Sequence, residues 1–269
     1  MQHLFSVWQE FSKRLKAASR VLLLCDYDGT LTPIVERPEF ADLSEKTRQL
    51  LQALARQSSF TIGILSGRAL ADLRQRVGIS GIIYAGNHGL EIEGPGISLI
   101  NPLAEEMRPV LRLIQQVLSK ALSPIKGVFV ENKGLSLTIH YRLVEEEQSD
   151  EVHNIFERVI ATARSLGKVI ITTGKKVYEV RPPVDWDKGK AIDLLIDRYG
   201  KTKTKKELLP IFVGDDQTDE DGFKVIEKHG GISVFVGDKA DHSAARYFLK
   251  SPAEVEQFLE RLVHHSPND

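Results

Sequence analysis

Two aspartates separated by one residue, in Asp26-Tyr27-Asp28-Gly29-Thr30, follow directly on the apolar run Val21 to Cys25. The carboxyl ends of strands are where ligands bind in an open α/β sheet. Carboxylates two apart on extended backbone point to one face, and the turn that begins here can bring both to a common centre. A plain turn uses the same residue types.

A second acidic cluster, Gly214-Asp215-Asp216 with Asp219 close behind, ends the apolar run Leu208 to Val213. Hard cations such as Mg²⁺ take oxygen ligands, so carboxylates from two strand ends plus a substrate phosphate would make a site. An acidic N-cap would explain Asp219 without a metal. The run Phe60 to Leu65 ends in Ser66-Gly67-Arg68. There a hydroxyl and free backbone N–H groups at a helix start could hold phosphate oxygens. Lys188, in Asp187-Lys188-Gly189-Lys190, could add a compact positive charge.

The order of these four segments resembles the four motifs of the haloacid dehalogenase superfamily. The resemblance implies that Asp26 attacks phosphorus and forms an aspartyl-phosphate. Asp28 then protonates the leaving oxygen and afterwards activates water. It implies Mg²⁺ held by Asp26, the backbone carbonyl of Asp28, and Asp215. Gly29, Ser66, Gly67 and Arg68 are expected around the phosphate. Ser66 and Lys188 would offset the charge that spreads in the transition state. Asp216 is expected to orient Lys188 or a metal-bound water, with Asp219 a further candidate for that supporting place.

Further segments narrow the resemblance to the trehalose-phosphatase family: Gly86-Asn87-His88-Gly89-Leu90-Glu91, then Glu131-Asn132-Lys133, His140-Tyr141-Arg142 and Glu179-Val180-Arg181-Pro182. The likeness implies that Glu131, Lys133 and Glu179 hydrogen-bond sugar hydroxyls, for which charged partners make the stronger bonds. His88 is expected at the substrate, with a structural histidine as the alternative reading, and His140 is equally open. Neither has zinc-site spacing.

These residues need a scaffold. Apolar β-rich runs alternate with helical patterns over Val21 to Ala85 and again over Asp187 to Val263, which predicts α/β architecture with a parallel sheet built from both stretches. Between them a long helix is predicted over Leu103 to Leu122, a second over Val152 to Leu166, and paired strands near 127–131, 135–141, 168–172 and 176–180. The expected arrangement is a Rossmannoid core of residues 1–102 and 185–269 with an inserted α+β cap, C2-type by resemblance, at 103–184. Asn101-Pro102 and Arg181-Pro182-Pro183 are expected hinges.

The chain has 269 residues, 42% hydrophobic and 27% charged, which suits a folded globular protein and excludes the profile of disorder. With 36 basic and 37 acidic residues it lacks the basic excess of a nucleic-acid binder. Cys25 is the one cysteine, which favours a reducing cytoplasm and a small buried hydrophobe over a reactive thiol. No run is long enough to cross a bilayer, and the helical stripe Leu4, Phe5, Trp8, Phe11, Leu15 and Ala18 reads as packed on its own domain. The basic run Lys201 to Lys206 reads as a solvated loop and the tail from His264 as frayed.

The expected partner is a small sugar phosphate, trehalose 6-phosphate by resemblance, with no nucleic acid or membrane involved. The expected state is a monomer, although nothing in the sequence fixes it. Two other readings stand beside this one: a phosphatase for another glycosyl phosphate (glucosylglycerol, sucrose or mannosyl-phosphoglycerate type), and a sugar-phosphate-binding regulatory module without catalysis. An intact nucleophile and acid oppose the second.

Overall fold

Apolar residues occupy nearly every position of the strand Arg20–Asp26, which is what a strand buried on both faces requires. Around it a computed structural model, describing residues 1–35, 38–174, 176–200, 208–238 and 242–265, builds an α/β fold. The basic run Lys201 to Lys206 and the last four residues lie outside the described residues.

The chain divides into two compact units, Met1–Ser98 with Trp186–Asp269, and Leu99–Asp185. The strands, in chain order, are β1 (Gln2–His3), β2 (Arg20–Asp26), β3 (Phe60–Leu65), β4 (Ile83–Gly86), β5 (Glu91–Gly94) and β6 (Ile97–Ile100). The second unit holds β7 (Phe129–Asn132), β8 (Leu137–His140), β9 (Ile170–Gly174) and β10 (Val177–Arg181). Last come β11 (Leu208–Gly214), β12 (Ile232–Val236) and β13 (Tyr247–Leu249).

The large sheet has the order β1-β13-β12-β11-β2-β3-β4-β5-β6. It is parallel from β1 to β4, and β5 turns back antiparallel to β4. The predicted parallel sheet thus gains an antiparallel edge. The sequence reading missed β5 and β6, whose Glu91, Glu93, Gly94, Pro95 and Gly96 interrupt any apolar run, and the two short strands β1 and β13.

Side chains of β2 alternate between two cores. Val21, Leu23 and Cys25 join the layer of Phe11, Leu15, Leu51, Leu54, Leu73, Phe258 and Leu262. Leu22 and Leu24 join Ile192, Leu195, Phe212, Phe223 and Ile226 on the other face. The stripe of the first helix, Trp8–Ala17, is therefore packed on its own unit, with Phe11 and Leu15 buried. Cys25 is fully buried, and that burial raises its thiol pKa far above the ordinary range, as a buried hydrophobe reading requires. No helix among the described residues is long and apolar enough to cross a membrane.

In the second unit the order β7-β8-β10-β9 is antiparallel throughout. Leu137, Ile139, Tyr178 and Val180 face Leu111, Leu118, Phe156 and Ile160 from two helices. The single helix expected over Leu103 to Leu122 is instead two, Pro102–Glu106 and Arg108–Leu122, divided at Met107. Pro109 has no N–H for a continuous ladder but fits the first turn of a new helix. Asn101, expected as a hinge, caps the earlier one by accepting from the Ala104 N–H at 3.3 Å.

Candidate active site

Strand β2 lies between β11 and β3, its neighbours from the two distant halves of the core, so its carboxyl end is a point where chain order switches side. Asp26 ends β2, Ser66 follows β3 and Asp215 follows β11. Lys188 opens the helix Lys188–Gly200, where Asp187 accepts from the Lys190 N–H at 2.8 Å.

The side chains meet in the interior. Lys188 Nζ donates to Asp26 Oδ1 at 2.5 Å and to Asp219 Oδ1 at 2.7 Å. Lys188 is 2% exposed, Asp26 5% and Asp219 0%, so bulk water does not screen the three charges. Burial opposes the charge on Lys188, but Asp219 and Asp26 outweigh it and hold its pKa above the ordinary lysine value. Burial pushes Asp26 and Asp219 up against the pull of Lys188. It also pushes Asp215 up to about 7, against the hydrogen bond from Thr30.

One oxygen from each of Asp26, Asp215 and Asp219 lies within 4.8 Å of the others. Three carboxylates facing one ammonium leave a deficit of positive charge, and an all-oxygen donor set suits a hard cation. The chemistry of the residues present therefore fits a divalent ion. Asp26 and Asp215, both expected at the ion, are brought together with Asp219; from Asp28 the expected ligand is its backbone carbonyl.

Asp28 is held by Arg68, whose Nε and Nη2 donate to its two carboxylate oxygens at 2.8 and 2.6 Å, while Nη1 donates to Asp72 at 2.9 Å. Arg68 was expected at the phosphate. Its planar fork makes a two-bond grip on Asp28, the geometry that guanidinium and carboxylate favour. The two aspartates of the first segment thus reach different partners rather than one centre.

Of the two carboxylates expected in support of Lys188, Asp219 is the one that bonds it. Asp219 orients Lys188, and its other oxygen accepts from the N–H groups of Asp215 and Asp216 at 3.0 and 3.1 Å. Asp216 accepts from the Thr218 N–H at 2.8 Å and so caps the short turn Gln217–Asp219. Burial would raise the pKa of Asp216, but the Lys188 charge and the Thr218 bond bring it below the ordinary carboxylate value.

Sequence reasoning overlooked Thr30, whose hydroxyl donates to Asp215 Oδ1 at 2.9 Å and ties the two acidic strand ends together. Its place in Asp-x-Asp-Gly-Thr was the available signal. Gly29 has φ +87°, and a Cβ there would lie 2.1 Å from Asp215 Oδ2, so only glycine lets the strands approach this closely.

Ser66 is buried and its Oγ accepts from the Arg68 N–H at 3.1 Å. His88 lies against Gly67, where a Cβ would sit 2.7 Å from its Nε2. Beside it Asn87 donates to Glu91 Oε1 at 2.7 Å, and the same oxygen accepts from the Leu70 N–H at 3.2 Å. Asn87 and Glu91 therefore brace the helix that follows Ser66-Gly67-Arg68.

In the second unit Glu131 Oε2 lies 2.9 Å from His140 Nε2, and Glu179 accepts from Thr172 Oγ1 at 3.3 Å. Phe129 stacks on the His140 ring with centroids 5.9 Å apart. Lys133 follows the end of β7, and its N–H donates to the Ser136 carbonyl at 2.9 Å.

The sheet and its carboxylate-lined strand ends have the fold of haloacid dehalogenase-like hydrolases. One such hydrolase from Bacteroides thetaiotaomicron superposes with a TM-score of 0.61 at 20% identity, over 90% of this chain and 99% of that one. Residues 24–253 match the family model for trehalose-phosphatase, and the chain belongs to that family. A trehalose 6-phosphate phosphatase of Zea mays is 35% identical over 96% of this chain and 74% of its own length. The C-terminal domain of a trehalose-6-phosphate phosphatase from Candida albicans superposes with a TM-score of 0.78 at 25% identity, over 95% of this chain and 96% of that one.

Proposed function

We propose that this protein hydrolyses trehalose 6-phosphate to trehalose and phosphate through an aspartyl-phosphate on Asp26. The observation that carries the reading is the buried Lys188 bridging Asp26 and Asp219 at 2.5 and 2.7 Å, next to Asp215. A pure binding module has no need of a carboxylate nucleophile held in this way.

Asp26 attacks phosphorus while the leaving sugar oxygen takes a proton from Asp28, and Asp28 then takes a proton from the water that cleaves the acyl-phosphate. In the resting arrangement Asp28 accepts two N–H bonds from Arg68. It must turn from that guanidinium to donate, which makes Arg68 a positioning residue for the acid. Lys188 and Ser66 face the charge that builds on the phosphoryl oxygens. Mg²⁺, held by Asp26, Asp215 and the Asp28 carbonyl, would neutralise charge between nucleophile and phosphate. Glu131, Lys133 and Glu179 of the second unit are proposed to bond the sugar hydroxyls. The compartment we propose is a reducing cytoplasm, in keeping with the single buried cysteine.

The test is phosphate release from a panel of glycosyl phosphates with and without chelator. Trehalose 6-phosphate is expected to be the best substrate, with turnover abolished by chelation and restored by Mg²⁺. A better glucosylglycerol or sucrose phosphate would replace the substrate assignment, and full turnover in chelator would refute the metal.

Asp28→Asn gives a finer check. A sugar alkoxide needs protonation, whereas a nitrophenolate leaves unaided, so loss on trehalose 6-phosphate is expected to exceed loss on p-nitrophenyl phosphate by about 10²-fold. Equal losses would assign the acid elsewhere.

A further inference from the structure

The pleat of the second unit's sheet puts two sets of side chains on opposite faces. Leu137, Ile139, Tyr178 and Val180 belong to the core. The register pairs Glu131 with Thr138, Thr138 with Glu179, and Glu179 with Thr172. These four residues therefore form one row across β7, β8, β10 and β9 on the other face.

Thr138, in the row between the two glutamates, is 3% exposed, and its Oγ1 has no hydrogen-bond partner. Neither flanking carboxylate accepts from it: Glu131 is turned to His140 and Glu179 to Thr172. A hydroxyl can rotate to donate, and leaving one buried and unpaired is unfavourable. Such a group calls for an explanation that the fold alone does not supply.

We infer that Thr138 is a further specificity-determining residue whose hydroxyl bonds a sugar hydroxyl presented between Glu131 and Glu179. The inference rests on the proposed function and adds a neutral donor to its sugar-binding face. Carboxylates only accept, so each sugar hydroxyl that donates to Glu131 or Glu179 still has lone pairs to satisfy. A donor at Thr138 meets that need. Neighbouring strands lie about 4.8 Å apart, so the row spaces two acceptors and a central donor across about 10 Å, a width over which one polyhydroxylated ring can lie.

The experiment compares Thr138→Val and Thr138→Ser with wild type on trehalose 6-phosphate and p-nitrophenyl phosphate, with Tm and calorimetric trehalose binding measured in parallel. Valine has nearly the same shape and suits a strand. It is expected to lower kcat/KM for trehalose 6-phosphate on the order of tenfold, chiefly through KM, and to weaken trehalose binding alike. The aryl phosphate rate should stay unchanged and Tm should stay level or rise, because an unpaired buried hydroxyl has gone. Serine should restore the sugar-phosphate rate.

Unchanged kcat/KM and trehalose binding in Thr138→Val, or equal losses on both substrates, would overturn the inference. Wild type that binds trehalose through Thr138 without hydrolysing its phosphate would count against the proposed function alone. Wild type that neither binds trehalose nor hydrolyses its phosphate would refute both.

Discussion

Asp26→Asn is expected to leave a folded protein whose turnover has dropped by at least about 10³-fold, because the amide oxygen is not a nucleophile that can form an acyl-phosphate. The fold should survive, since asparagine keeps an oxygen able to accept from Lys188 Nζ, now 2.5 Å from Asp26 Oδ1. It also removes one of three crowded carboxylates, so Tm should hold or rise. Steady-state rates and thermal melting are the measurements. Turnover within tenfold of wild type in a protein melting normally would assign the nucleophile elsewhere.

The second large effect concerns the cation. Lys188→Met should abolish turnover and also lower stability by about 3–5 kcal/mol, the range for breaking a buried ion pair by removing one partner. Methionine fills similar space, so the loss would come from charge left uncompensated on Asp26 and Asp219. Adding Asp219→Asn to Lys188→Met removes one of those charges. The double variant should regain part of the stability in urea melts and none of the activity. A single variant as stable as wild type would show that the ammonium does not carry the interior charge balance.

How far these groups were legible in the sequence depends on how local their causes are. Asp26, Ser66 and Asp215 lie at the ends of predominantly apolar runs, and Lys188 opens a capped helix, so pattern alone located them. Asp216 was put ahead of Asp219 beside Lys188 because only two residues of a turn separate them, and only the turn's geometry decides which carboxylate points inward. Arg68 was expected around the phosphate by resemblance. That its fork is gripped by Asp28, 40 positions earlier, is a tertiary fact. Thr30 was passed over for the same reason. The helix break at Met107 was readable from Pro109 and was missed because the apolar stripe continues across it.

The route of the backbone through the fold has a consequence for the nascent chain. Asp26 and Lys188 stand 162 positions apart, and β11, which completes the pairing of β2, is made after the whole second unit. As synthesis proceeds, β2 must wait with one edge open and its aspartate without a counter-charge. The second unit is one continuous segment with its own core, so all its partners emerge together. Local closure is entropically cheaper than distant closure. That unit is therefore expected to fold on the ribosome while the site at the end of β2 is still incomplete, and a chain released early would carry a folded second unit beside an unfinished catalytic sheet.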